Sequence, residues 1–376
     1  MPPFSDALFV DTAEMLAEVA ASVAAASRVG IDTEFHAERR YRPELLLVQL
    51  ALPTGQVWLV DPRAVDLHPL AAALSSVEWV LHGGETDIYL LHREAGARPT
   101  CLLDTQILAA MAGWDHPVPL SDLARDLLGQ AMDKSVGMTD WTTRPLSASQ
   151  RRYAAEDAVI VLEVAQALEA RGIEASRLEW AHAAGQELVE VALTPPDPQA
   201  SWLRLGLASR LDEDTRRVLV ALYAWRERLA RDRDVPPSYT LSDAVALDLA
   251  RRRPTSASQM AENRRTPSGL VKRYGADLVD EIRRAMDGSG PVPAGPPPEE
   301  RRLAQGLRCW AQAMEPVTGI APSLALPPGL TTGLAREGIA ALNGWRSMAF
   351  GDALSAFLAG ETTLCIRDGR LAAVPR

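Results

Sequence analysis

The chain of 376 residues is 47% hydrophobic and 23% charged, with a formal net charge of −10. This is the make-up of a soluble globular protein, and at roughly 100–200 residues per domain it has room for two or three. No stretch reaches the roughly 18 apolar residues of a membrane span, and the negative balance argues against a protein that coats nucleic acid without selectivity.

Residues 1–6 lack the basic-then-apolar pattern of a signal peptide. Three scattered cysteines, Cys101, Cys309 and Cys365, offer neither a disulfide framework nor a zinc spacing. The six histidines form no HExxH-like pair, so a His-ligated metal is not expected. A reducing cytoplasm suits this cysteine usage.

In chain order, 8–10 is predicted as a strand, followed by a helix to about residue 27 that Asp11 caps with Glu14 three positions on. The next stretch, Val29-Gly30-Ile31-Asp32-Thr33-Glu34-Phe35, reads as a strand rich in β-branched residues. Asp32 and Glu34 are two apart, so the strand period puts both carboxylates on one face. Buried side by side they would cost several kcal/mol unless neutralised. A hard divalent cation with oxygen ligands does this; a solvent-facing edge strand is the alternative. Strands at 45–50 and 56–61 follow through connections too short for a crossover helix, which suggests an antiparallel meander. A helix near 67–74, a strand at 79–81, a helix from Glu85, further alternation through 102–108 and helices from 120 to 171 complete an α/β domain with a mixed sheet.

Two more acids stand out. Asp87 opens a helix after the His82-Gly83-Gly84 turn, where loops at sheet ends build sites, although a first-turn acid also supports a helix dipole. Asp157 lies four residues after Tyr153 on a strongly helical stretch, so the two share a face with small or apolar neighbours. There the acid is costly unless it is paired or ligates an ion; an exposed helix acid beside a packed Tyr is the plainer alternative.

The segments GIDTEF, LHGGETDIYLL and DKSVGMTDWTTRPLSASQRRYAAEDA resemble the three exonuclease motifs of the ribonuclease D family, part of the DEDD superfamily of 3′→5′ exonucleases. The resemblance runs from about residue 8 to 170. It implies a ribonuclease H-like α/β fold and places Asp32 and Glu34 in the first motif, Asp87 in the second, and Tyr153 and Asp157 in the third. It further implies two divalent ions, Mg²⁺ or Mn²⁺, with Asp32 bridging them, Glu34 and Asp157 on the nucleophile side and Asp87 on the second ion. Tyr153 would orient the attacking water. Gln49, Trp141 and Arg144 are candidate substrate-groove residues, Trp141 being equally readable as core. RNA 3′ ends such as those of tRNA precursors are the implied substrate, with 5′-monophosphates as products.

Residues 200–286 are Arg-rich and helical, with Trp202, Leu219, Leu222, Trp225 and Leu229 at helical spacing, and resemble the HRDC domain that follows the nuclease in this family. The Gly/Pro-rich stretch 287–298 reads as a linker. Residues 299–376 look like a second, diverged HRDC-like bundle. Trp225 and Trp310 are expected in cores. The stretch 251–273 carries seven Lys/Arg against Glu262 alone, either a landing surface for phosphate or a solvated helix face. The expected domains are therefore 1–195, 200–286 and 299–376, in a monomeric cytoplasmic enzyme. A DNA 3′→5′ exonuclease and a silent nucleic-acid-binding scaffold are the competing readings; the complete set of acids and Tyr153 argues against the scaffold.

Overall fold

The computed structural model describes residues 7–133, 135–195, 197, 201–207, 210–288, 292 and 294–376. The chain forms two compact units, one of residues 1–35, 45–194 and 299–376, the other of 36–44 and 195–298.

The first unit opens with β1 (Leu8–Val10), α1 (Ala13–Ala24), β2 (Arg28–His36), β3 (Glu44–Ala51) and β4 (Val57–Val60). It continues through α2 (Leu70–Ser75), β5 (Glu78–Leu81), α3 (Glu85–Ala95), β6 (Cys101–Asp104) and α4 (Thr105–Met111). The strands make one six-stranded sheet in the order β1-β4-β3-β2-β5-β6. β2, β5 and β6 run parallel, as do β1 and β4, while β3 is antiparallel to β4. This is the mixed sheet expected from connection lengths. One capping residue differs: Thr12, not Asp11, caps α1, its hydroxyl accepting from the Met15 N–H.

Further on, α5 (Leu120–Leu123) continues into a π-helical turn at Ala124–Leu128. The described residues between Gly129 and Leu146 are not helical, so the helical reading of 120–171 holds only at its two ends. The long α6 (Ala148–Ala170) begins at a capping box, Ser147 receiving the Gln150 N–H while the Gln150 side chain receives the Ser147 N–H. α7 (Ala175–Leu193) follows. Helices α1, α2 and α3 fill one face of the sheet through Leu16, Val19, Leu70, Leu74, Ile88 and Leu91. On the other face, α4 and α6 share a core with residues from the end of the chain.

The second unit holds α8 (Glu213–Arg233), α9 (Pro237–Thr240), α10 (Asp243–Arg252), α11 (Ala257–Ala261) and α12 (Ser268–Asp287). Trp202, Leu219, Leu222 and Trp225 are buried in its core with Leu249, Met260 and Leu278. The buried Arg226 guanidinium stacks on the Tyr223 ring and donates to Asp243, which also receives the Tyr223 hydroxyl. The β2–β3 connection belongs to this unit: Asp234, at the C-terminal cap of α8, accepts the Tyr41 and Arg42 backbone N–H groups at 3.2 and 3.4 Å. The predicted linker 287–298 lies partly outside the described residues.

Residues 299–376 do not stand as a bundle of their own. They supply α13 (Pro298–Thr318), α14 (Pro322–Ala325), α15 (Pro328–Glu337), α16 (Gly344–Leu358) and an unforeseen hairpin of β7 (Thr362–Arg367) and β8 (Arg370–Pro375) to the first unit. Leu307, Trp310, Trp345 and Phe350 are buried in one cluster with Leu103, Leu108 and Met111. The Ala321 N–H donates to the Ala110 carbonyl at 2.9 Å, and Arg177 donates to the carbonyls of Met111 and Thr318. A helical stretch whose apolar stripe is claimed by α4 and α7 has no need of a separate core. No helix among the described residues is long and apolar enough to cross a membrane.

Candidate active site

Asp32 and Glu34 leave β2 on one face, as the strand period requires. Gly30 decides what comes to meet them. A Cβ on Gly30 would lie 2.5 Å from the Ala158 carbonyl oxygen and 2.7 Å from Leu162 Cγ, so only glycine lets α6 descend this far onto β2. Ala154, Ala155 and Ala158 are fully buried on α6, the first two against Leu46, Leu47 and Leu59 of β3 and β4. The outcome is that Asp157, next to Ala158, joins the two acids of β2: carboxylate oxygens of Asp32, Glu34 and Asp157 lie within 4.8 Å of one another.

Asp87 is brought in from the other side. Thr33, between the two acids, points away from them and donates its hydroxyl to Asp87. The turn that starts α3 is held by Asp104, which is 1% exposed. Its carboxylate accepts the Gly83 and Gly84 N–H groups, each at 3.1 Å, while capping α4 through Gln106 N–H at 2.8 Å and Ile107 N–H at 3.4 Å. Gly83 takes φ +63° there, a conformation costly for other residues. His82 is fixed alongside, with one ring nitrogen against Thr105 Oγ1 and the other against the Val118 carbonyl. Thr33 and Asp104 were missed as site-building residues. The only signal for them is polarity inside otherwise apolar strands.

The electrostatics follow from burial without compensating cations. Loss of solvent, then repulsion from Asp87, Asp157 and Glu34, pushes Asp32 well above the ordinary carboxylate range. Glu34 is raised to about 8 by burial and by Asp157 and Asp87. Burial raises Asp157 to about 7 although the Tyr153 hydroxyl donates to it, and raises Asp87 to about 6 against the lowering effect of Thr33. Tyr153 itself is shifted strongly upward by burial and by Asp157. It therefore stays protonated and acts as a donor. A converging set of oxygen ligands that hold protons for want of positive charge is suited to hard divalent cations; the residues present fit such ions.

The substrate-groove candidates sit elsewhere in the framework. Gln49 is fully buried in β3, and neither its amide nitrogen nor its oxygen has a hydrogen-bond partner. Trp141 is 4% exposed, packed with Leu46, Leu47 and Leu146 beneath the Tyr153 ring, and donates its indole N–H to the Gly137 carbonyl. The core alternative describes Trp141 better. Arg144 forks onto buried Asp61 at 2.6 and 3.0 Å and onto the Leu46 carbonyl at 2.7 Å. Gln49 and Trp141 thus offer almost no surface, and the Arg144 guanidinium is already taken. Their placement ties the loop before α6 to β3 and β4.

Comparison with known proteins agrees with this arrangement. The family model described as 3'-5' exonuclease matches residues 8–173, and that described as HRDC domain matches residues 215–282. Ribonuclease D of Gluconacetobacter diazotrophicus is 33% identical, covering 99% of this chain and 98% of its own. Ribonuclease D of Nitrobacter hamburgensis is 31% identical, covering 98% and 99%. Among solved structures, Escherichia coli RNase D, an exoribonuclease involved in structured RNA processing, has the same fold: TM-score 0.82, 24% identity, 94% of this chain and 99% of that chain. The catalytic core of RRP6 from Trypanosoma brucei follows at TM-score 0.58 and 24% identity, over 74% of this chain and 79% of that chain.

Fold and carboxylate cluster together define a 3′→5′ exonuclease carrying an HRDC domain. The chain belongs to the ribonuclease D family, and its activity is that of a 3′→5′ exoribonuclease, a hydrolase of the divalent-metal-dependent DEDD type.

Proposed function

We propose that the enzyme trims the 3′ ends of structured RNAs, tRNA precursors foremost, one nucleotide at a time and releases nucleoside 5′-monophosphates. The convergence of Asp32, Glu34 and Asp157 within 4.8 Å, with Asp87 and Tyr153 beside them, carries this reading. Asp32, Glu34 and Asp157 would hold one divalent ion, and Asp87 with Asp32 a second. When bound, such ions lower the pKa of an attacking water and neutralise the departing 3′-oxygen. The chain's own part is positional. Tyr153, kept protonated by its surroundings, orients the water by hydrogen bond. Thr33 and Asp104 fix Asp87, and Gly30 sets how closely Asp157 approaches β2. Water attacks the terminal phosphorus, the P–O3′ bond breaks, and the 3′-oxygen takes up a proton.

In the HRDC domain Arg252 is paired with Asp248, and Arg253 with Asp212 and Asp214. We assign phosphate contact to Arg251, Arg264, Arg265, Lys272 and Arg273 of the same stretch. The test is a precursor tRNA with a 3′ trailer beside an unstructured RNA of equal length. Faster trimming of the precursor, with 5′-monophosphates as sole products and a rate falling steeply with salt, supports the reading. Equal rates on both RNAs, or 3′-monophosphate products, contradict it.

A further inference from the structure

At the opposite end of the strands from the catalytic acids lies a second cluster of ligating side chains. Glu78 and Cys101 begin β5 and β6 and are direct register partners. Glu78 also pairs in register with Arg28 of β2, four residues before Asp32, or about 13 Å along the strand at its usual rise. His182 comes from α7, which lies close on β6 because of Gly185: a Cβ there would meet the Leu102 carbonyl oxygen at 2.5 Å. The three side chains offer one sulfur, one nitrogen and one oxygen within 4.8 Å of one another.

We propose that Glu78, Cys101 and His182 form a site for a zinc-class transition metal, separate from the hard-cation site of catalysis. Cys101 Sγ is 3.9 Å from Glu78 Oε1, His182 Nε2 is 3.5 Å from the same carboxylate oxygen, and the imidazole and thiol lie within the 4.8 Å bound of the cluster. Bond lengths of about 2.0–2.3 Å in a tetrahedral site imply ligand separations of about 3.3–3.7 Å, so a small contraction completes three of four positions. Orientation supports it. His182 Nδ1 lies 3.3 Å from the Leu102 carbonyl; donating there leaves the Nε2 lone pair facing Glu78, the usual arrangement of a metal-binding imidazole. Arg28 Nε takes the other Glu78 oxygen at 2.8 Å, and Glu169 holds the rest of that guanidinium through two contacts of 3.0 Å. Arg28 alone thus explains one carboxylate oxygen and not the turn of the other toward a thiol and an imidazole.

Charge balance also fits. A divalent ion with a Cys101 thiolate, both glutamates and Arg28 comes to zero. Binding forms the metal–sulfur bond and releases the thiol proton, with no change of oxidation state. All three ligands are partly exposed, so an ion can enter and water can fill the fourth position. The bound ion would clip α7 to the start of β5 and β6. Cysteine and histidine spacing gave no hint of this site, because its ligands lie on three elements 23 and 81 residues apart.

The experiment titrates Co²⁺ into the metal-stripped, reduced full-length protein and follows the near-ultraviolet charge-transfer band of a cobalt–thiolate bond. One equivalent should produce the band, and Zn²⁺ but not Mg²⁺ should abolish it. Cys101→Ser should remove it and His182→Ala weaken Co²⁺ binding more than tenfold. Cys309→Ser, Cys365→Ser and Asp32→Asn should leave it intact. On the unmutated protein, Zn²⁺ should slow alkylation of Cys101 and not of the other two cysteines. Absence of the band, its survival in Cys101→Ser, its indifference to His182→Ala, or alkylation of Cys101 unaffected by Zn²⁺ would overturn the proposal.

Discussion

Glu34, Asp157 and Asp87 hold protons at pH values where an ordinary carboxylate is charged, because burial removes water without supplying a cation. With values of about 8, 7 and 6 in the folded chain against 4.5, 3.8 and 3.8 unperturbed, the folded state binds more protons than the unfolded one throughout the interval. Stability of the metal-free protein therefore falls as pH rises from about 4 to about 8. Divalent ions displace these protons, so Mn²⁺ should raise the melting temperature more at pH 8 than at pH 5. Melting curves in chelator and in Mn²⁺ across this range check it, and Glu34→Gln should flatten the chelator curve. A metal-free protein that gains stability steadily toward pH 8 would contradict this account of the residues. Spacing alone left each acid open, whether two apart on a strand, four from a tyrosine on a helix or just after a Gly-Gly turn; the resemblance to the three exonuclease motifs picked them out together. Thr33 and Asp104 were not, since their partners lie 54 and about 20 residues away.

The approach of α6 to β2 is the element-level event that makes the site, and it depends on a residue with no side chain. Gly30→Ala places a methyl group against the Ala158 carbonyl, which cannot rotate away. Overpacking of this kind costs about 1–3 kcal/mol, and the shift of α6 carries Asp157 away from Asp32. We expect a melting temperature lower by several degrees and a turnover rate reduced at least tenfold, with divalent-ion affinity weakened in parallel. Unchanged activity in Gly30→Ala would show that the spacing of α6 and β2 is not critical. The helical period of α6 around Tyr153 and Asp157 could be read in advance; its start at the Ser147/Gln150 box was not, since the expected helices ran from 120. Its depth on the sheet could not, because periodicity reports which face is buried and not how closely. The same limit hid the burial of Gln49 and Trp141: a polar residue in a strand and a tryptophan near a motif look equally suited to core and groove.

At the scale of the molecule, the two units divide the chain differently from its sequence order. The final 78 residues belong with the exonuclease fold because Leu307, Trp310 and Phe350 complete the core that α4 and α7 begin. Their helical stripe resembled an independent bundle, and nothing in the stripe says which partner it packs on. Ending the chain after Pro298 should expose that core. A loss of only about 5 kcal/mol lowers the melting temperature of a domain of this size by about 10–20 °C; an unchanged melting curve would refute the shared core. The most direct test of the whole account is a time course on 5′-end-labelled RNA with Mg²⁺ or Mn²⁺, using the native enzyme and Asp157→Ala side by side. We expect a ladder that shortens by single nucleotides from the 3′ end, stops in chelator, and slows at least about 100-fold in Asp157→Ala while that variant remains folded. Shortening that persists in chelator or in the variant, or RNA cut internally, would contradict a carboxylate-centred 3′→5′ exoribonuclease.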